Sequence, residues 1–181
     1  MYKRQIKTQI RTKALTEKLG LYFCAMKYKR LTKEQLEELH PEFINFLATQ
    51  SITAEEWSQL KQEKPETAEE ELDVFSDLIW EGVLNNVRYL ENISEQHMHL
   101  FDLTEKEMKL LSVKILNPDI DLRTKEGFDW FKRNFQSDFV EYLTASKAYS
   151  KDKNQDKFDI IKQGAVITKG ELYQWFEEII E

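Results

Sequence analysis

A change of hydrophobic period near residue 90 most constrains what this chain can fold into. Before that point apolar residues recur three and four apart, the spacing of one helix face. Beyond it short stretches alternate apolar with polar, the spacing of a half-buried strand. The chain is therefore expected to build helices first and a sheet later.

Helix starts are legible from local chemistry. Thr32-x-x-Gln35 and Thr53-x-x-Glu56 fit capping boxes, in which the two side chains satisfy each other's backbone N–H groups. Leu36, Leu39, Phe43, Ile44 and Leu47 follow the first box at helical spacing. Pro41 interrupts them, giving either one kinked helix or two helices meeting at His40-Pro41. The helix carrying Trp57 and Leu60 should stop near Lys64-Pro65. The strongest element runs from about Pro65 to Leu90, with Glu66, Glu69, Glu70 and Glu71 favouring the positive end of its dipole. Leu72, Phe75, Ile79, Val83, Val87 and Leu90 form one apolar stripe on it. Val74, Leu78 and Tyr89 form a second, and Asp73, Asp77 and Glu81 an acidic ridge. A helix apolar on two sides packs between layers, or meets a partner chain with its second stripe.

After the change of period, His97 to Phe101 reads as a strand, with Met98 and Leu100 on one face. Leu110 to Leu116 is the next, with Leu111, Val113 and Ile115 together. The intervening Thr104-x-x-Glu107 also fits a helix start. Asn117-Pro118-Asp119 is a turn. Thr124 caps a helix carrying Phe128, Phe131 and Phe135; Phe139 to Tyr149 is a strand; Ser150 to Asp156 is a charged loop. Phe158, Ile160 and Ile161 belong to a short helix ending near Gly164. Thr168-x-x-Glu171 caps a last helix facing inward through Leu172, Trp175, Phe176 and Ile179, with Gly170 a tolerated early-helix residue. The fold class is α+β: mostly helical, with a small antiparallel sheet in the second half.

Charge divides the chain differently. In residues 1–25, Lys3, Arg4, Lys7, Arg11, Lys13 and Lys18 face only Glu17, a net +5 that leaves −12 of the overall −7 to residues 26–181. We read 1–25 as a leader, either upstream of a true start at Met26 or a disordered extension, and 26–181 as one domain. A targeting signal fits less well: the apolar stretch is short, no small-x-small site follows, and Phe23 before Cys24 departs from a lipoprotein box. From Met26 onward there is no cysteine, which excludes disulfides, thiolate-bound zinc and a cysteine nucleophile there. The acidic balance argues against nucleic acid and anionic membranes and permits a basic partner.

From Met26 the chain resembles a family of small uncharacterised bacterial proteins, a domain of unknown function, over residues 26–181. The resemblance rests on Met26-Lys-Tyr-Lys-Arg-Leu-Thr-Lys-Glu-Gln, Phe43-Ile-Asn-Phe-Leu-Ala-Thr-Gln-Ser-Ile, Phe75-Ser-Asp-Leu-Ile-Trp-Glu-Gly-Val-Leu and Gln163-Gly-Ala-Val-Ile-Thr-Lys-Gly-Glu-Leu. It implies a bacterial cytoplasmic setting and brings no activity or catalytic residue with it.

Candidate chemistry is sparse. His97 and His99, two apart on a strand, share a face and could bind zinc or copper if a third ligand approached. Glu37 and His40 have the i, i+3 spacing of di-iron bundles, but in a single copy. The Asp73, Asp77, Glu81 ridge could tune a carboxylate pKa, yet no partner base accompanies it; a solvated face is the simpler reading. Asp119 and Asp121 read as turn chemistry. Trp130 sits among Glu126, Arg133 and Asn134, off the Phe128 stripe; it is either an exposed contact hot spot or packed under a neighbouring loop. No cofactor motif is present. The expectation is a non-enzymatic cytoplasmic protein-binding or regulatory domain, contacting a partner through Trp130, Val74, Leu78 and Tyr89. That partner could be a basic protein or a second copy of the chain. The alternative is a metal-assisted hydrolase using His97 and His99.

Overall fold

The computed structural model describes residues 26–180. Residues 1–25, with the leader readings and Cys24, lie outside the described residues. The described chain groups into two compact units dividing between Asn85 and Asn86.

The first unit is helical. Helices α1 (Lys33–Glu38) and α2 (His40–Thr49) meet at Leu39, so Pro41 starts a second helix rather than kinking one. Proline is tolerated there because a first-turn N–H has no intrahelical acceptor to lose. Both capping boxes form. Gln35 N donates to Thr32 Oγ1 at 3.3 Å and Thr32 N to Gln35 Oε1 at 2.9 Å. The same reciprocity at Thr53 and Glu56 opens α3 (Ala54–Glu63). Helix α4 (Pro65–Asn86) is the longest element, at 22 residues. Phe75 and Ile79, from its first stripe, pack with Phe43, Phe46, Leu47 and Leu31. Phe43 is the hub, its ring 5.0 Å from that of Phe75 and 5.3 Å from that of Trp57. Full burial of each such ring stabilises the unit by about 2–3 kcal/mol.

The second unit is a five-stranded sheet in the order β4-β3-β2-β1-β5. Its strands are β1 (Tyr89–Ile93), β2 (His97–Leu103), β3 (Glu107–Ile115), β4 (Val140–Ala148) and β5 (Val166–Thr168), every pairing antiparallel. The register sets Leu100 against Leu111 and Met98 against Val113, so the apolar side of the alternation lies on one face. Helices α5 (Lys125–Asn134) and α7 (Glu171–Ile180) supply Phe131, Tyr173 and Phe176 to that face. Helix α6 (Lys153–Lys162) contributes the buried Phe158. The fold is α+β, helical first and antiparallel second.

Four local expectations change. Tyr89 and Leu90 do not continue α4; they start β1, which bonds β2 on one side and β5 on the other. Two ladders outweigh one more turn of helix, and Asn85-Asn86 is a weak place to extend one. Thr104 to Glu107 is the β2–β3 hairpin turn, closed by Thr104 N donating to Glu107 O at 3.0 Å. The Ser150 to Asp156 stretch already contains the start of α6, because Asp152 caps it by accepting from Gln155 N. Thr168 ends β5 instead of capping α7, and Gly170 stands at φ +79 with its carbonyl accepting from Gln174 N. The side chain of Ile179 lies outside the described residues.

Candidate functional site

The acidic ridge of α4 proves to be a clamp. Asp77 takes the backbone N–H groups of Lys27 and Tyr28 at 2.7 and 2.9 Å, one on each carboxylate oxygen. Glu81 accepts from Lys27 Nζ at 2.7 Å and from the Tyr28 hydroxyl at 2.9 Å. Arg30 reaches Asp73 at 2.5 Å and also pairs with Glu69. Leu31 N donates to Ser76 Oγ at 3.2 Å, and Trp80 Nε1 to Lys29 O at 2.8 Å. Residues 27–31 are thus laid along α4 as a strap. Burial pushes the Tyr28 hydroxyl up to about 12, with the Glu81 carboxylate adding to the rise. The hydrogen bond Arg30 donates to Asp73 raises Arg30 above the ordinary arginine range. All three carboxylates of the ridge thus hold the strap against α4.

Beside this clamp the helical unit carries an open groove of about 740 Å³. Leu36, Phe43, Ile44, Ile52 and Trp57 supply most of its apolar lining, and Lys33, Lys61, His40 and Glu37 stand among the lining residues. Its lining residues come from α1, α2, α3, the Ile52–Thr53 turn and Leu72 of α4. Phe43 fills its floor, whereas Ile44, one residue on, is 52% exposed. Lys61 lies over the Trp57 ring at 5.8 Å. Glu37 lies in the last turn of α1 and His40 begins α2, so the helix face that would have joined them is broken at Leu39.

The partner stripe does not survive as a patch. Val74 is 38% exposed, but Leu78 is buried in the helical core and Tyr89 is buried on β1, in the other unit. Val74 and Leu78 lie on α4, whereas Tyr89 lies beyond its end at Asn86. Trp130 is half-buried against the core of the sheet unit, so the charged residues around it do not leave it standing in solvent.

His97 and His99 do share a strand face, with ring centroids 6.0 Å apart and nearly stacked. His99 Nδ1 lies 2.9 Å from Ser112 Oγ across the ladder. Burial, and then the neighbouring His97, lowers the His99 pKa below the usual imidazole value. Among the described residues no cluster of three or more His, Cys, Asp or Glu could hold a metal ion. Among the described residues the pair thus has no third side chain to complete a zinc site.

Sequence reasoning missed three features. Asp102, almost fully buried on β2, pairs with Arg88 at 3.0 Å. Lys157, equally buried on α6, donates to Val87 O at 2.8 Å, and burial followed by repulsion from Lys153 brings it down to about 8. Alternation hinted at Asp102, since it shares a face with Met98 and Leu100. Lys157 gave no signal beyond its place beside Phe158. The third is the strap of residues 27–31 along α4.

Helical clamp, groove and antiparallel sheet define a two-unit α+β protein. The chain belongs to the family of unknown function DUF6495, whose model matches residues 26–181. No curated protein and no solved structure matches it. Among the described residues no helix is long and apolar enough to cross a membrane.

Proposed function

We propose that this protein acts by binding another protein in the groove of its helical unit, not by catalysis. The observation that carries the reading is Ile44, a large aliphatic side chain left 52% exposed on a groove lined by Leu36, Phe43, Ile52 and Trp57. An amphipathic helix seats its apolar residues in such a groove and keeps its polar face in water. Lys33 and Lys61 among the lining residues favour acidic side chains on the occupant. A basic partner finds less support, because the acidic ridge of α4 is already bonded to Lys27, Tyr28 and Arg30. The bacterial cytoplasm is the setting we propose, in keeping with a domain that has no cysteine from Met26 onward.

The test is affinity capture from native cells with the full chain, comparing wild type with Ile44→Asp, Lys61→Glu and Trp130→Ala. A partner lost with the first two and kept with the third, in proteins of unchanged circular dichroism, supports the groove. A partner set indifferent to Ile44→Asp sinks it.

A further inference from the structure

Strand β4 is an edge with an unusual property. It is nine residues long and pairs with β3 along its whole length, Val140 opposite Ile115 through Ala148 opposite Glu107. Among the described residues no strand pairs with its other side. After Val140 every residue of β4 is exposed, Leu143 at 58% and Tyr142 at 40%. The opposite edge, β5, is a mere three residues. Edge strands are commonly blunted by proline, bulges or charged side chains, lysine above all. In β4 there is no proline, and its ladder to β3 runs without a bulge. Its only charges are Glu141 and Lys147.

Those charges stand symmetrically about Thr144. We infer that β4 pairs antiparallel with β4 of a second copy of this chain, about a two-fold axis at Thr144, joining the two sheets edge to edge. In that register Val140 meets Ala148 of the other copy, and Tyr142 meets Ser146. Leu143 meets Ala145, and Glu141 meets Lys147, each contact made twice by symmetry. Full overlap of the nine residues and matching of the charges occur in the same register. Sliding the strands by two residues in either direction shortens the ladder and separates both ion pairs. The pairing also keeps faces aligned: Glu141, Leu143, Ala145 and Lys147 lie on one side of both sheets, as strand alternation requires. Glu141 already meets Lys114 on β3 at 3.2 Å, so each copy would contribute a positive–negative–positive row ending on the other copy's Lys147. The main-chain groups on the open side of β4 supply the bonding. The side-chain pattern selects this chain as its own partner.

This surface belongs to the sheet unit and is independent of the groove, so either reading can fail alone. The experiment is light scattering and native mass spectrometry on the full chain, with wild type, Glu141→Lys, Lys147→Glu, and an equimolar mixture of the two variants. Wild type is expected to dimerise with rising concentration. Each single reversal turns two attractive pairs into two repulsive ones and should weaken the dimer about tenfold or more. The mixture should restore it as a heterodimer, because an all-lysine edge then meets an all-glutamate edge. Amide exchange on wild type gives a readout that needs no variant: protection within residues 140–148 should rise with protein concentration. A wild type that is monomeric with concentration-independent exchange at β4 overturns the proposal. So does a dimer untouched by either reversal.

Discussion

Gly170→Ala tests the packing between the last helix and the sheet most directly. Gly170 sits at φ +79, where a Cβ costs about 1 kcal/mol in the backbone alone. Space adds a second penalty. A Cβ there would stand 2.3 to 2.6 Å from three ring carbons of Tyr89. The ring has little room to retreat. Tyr173 lies against it at 5.9 Å between centroids, and the Arg88 guanidinium sits over it at 4.9 Å. Overpacking of this kind costs about 1–3 kcal/mol, so the substitution should destabilise the sheet unit by about 2–4 kcal/mol in total. Gly164→Ala is the internal control. Its φ is +99, but the nearest heavy atom to the new Cβ, Asn92 Nδ2, is 3.7 Å away, in ordinary contact. Backbone strain alone then predicts about 1 kcal/mol. Urea denaturation monitored by circular dichroism measures both. Repeating Gly170→Ala in a Tyr89→Leu background should recover about 1–2 kcal/mol of the excess as coupling energy. Equal costs for the two glycines, or strict additivity with Tyr89→Leu, would refute the steric reasoning.

Three further outcomes are expected. Asp77→Ala removes the acceptor for two strap N–H groups and should cost about 1–3 kcal/mol, with faster amide exchange at Lys27 and Tyr28; unchanged exchange there would mean the strap is held by its other contacts. Lys157 is held down to about 8 by burial, whereas an unfolded lysine titrates near 10.4. From about 8 upward the unfolded chain binds the proton that the folded chain has lost, so stability should rise with pH through that window. Lys157→Met should flatten this part of a urea-midpoint profile. For the histidine pair, the His99 ring should titrate below the ordinary imidazole range by NMR, and zinc should find no tight site. A tight site abolished by His97→Ala and His99→Ala would revive the metal-assisted reading.

Legibility followed the range of the interactions. Thr32, Thr53 and Thr124 were read correctly as caps because an N-cap bonds three residues ahead, within sight of any local reading. Leu111, Val113 and Ile115 were placed on one face because alternation alone dictates it. Leu90 misled because a strand's first residues can satisfy a helix period, and only pairing with Phe101 and Ile167 decides between the two. Trp130 was left between two readings because its sequence neighbours are charged, while its packing neighbours come from the core of the sheet unit. The groove at Ile44 and Trp57 left no mark, since concavity depends on how three helices are set against one another.

The sequence by itself determined that helices come first and an antiparallel sheet second, and where the capped helices begin. It also determined which family residues 26–181 belong to. Those features rest on periodicity, capping and motif, all local. Tertiary structure alone decided that α4 stops at Asn86, that Asp77 binds a backbone 50 residues away, and that no strand among the described residues pairs with the outer side of β4. The physical reason is common to all three. A carboxylate, a strand edge or a helix end takes its role from whichever group satisfies its hydrogen bonds, and that group is chosen by the folded chain rather than by its neighbours in sequence.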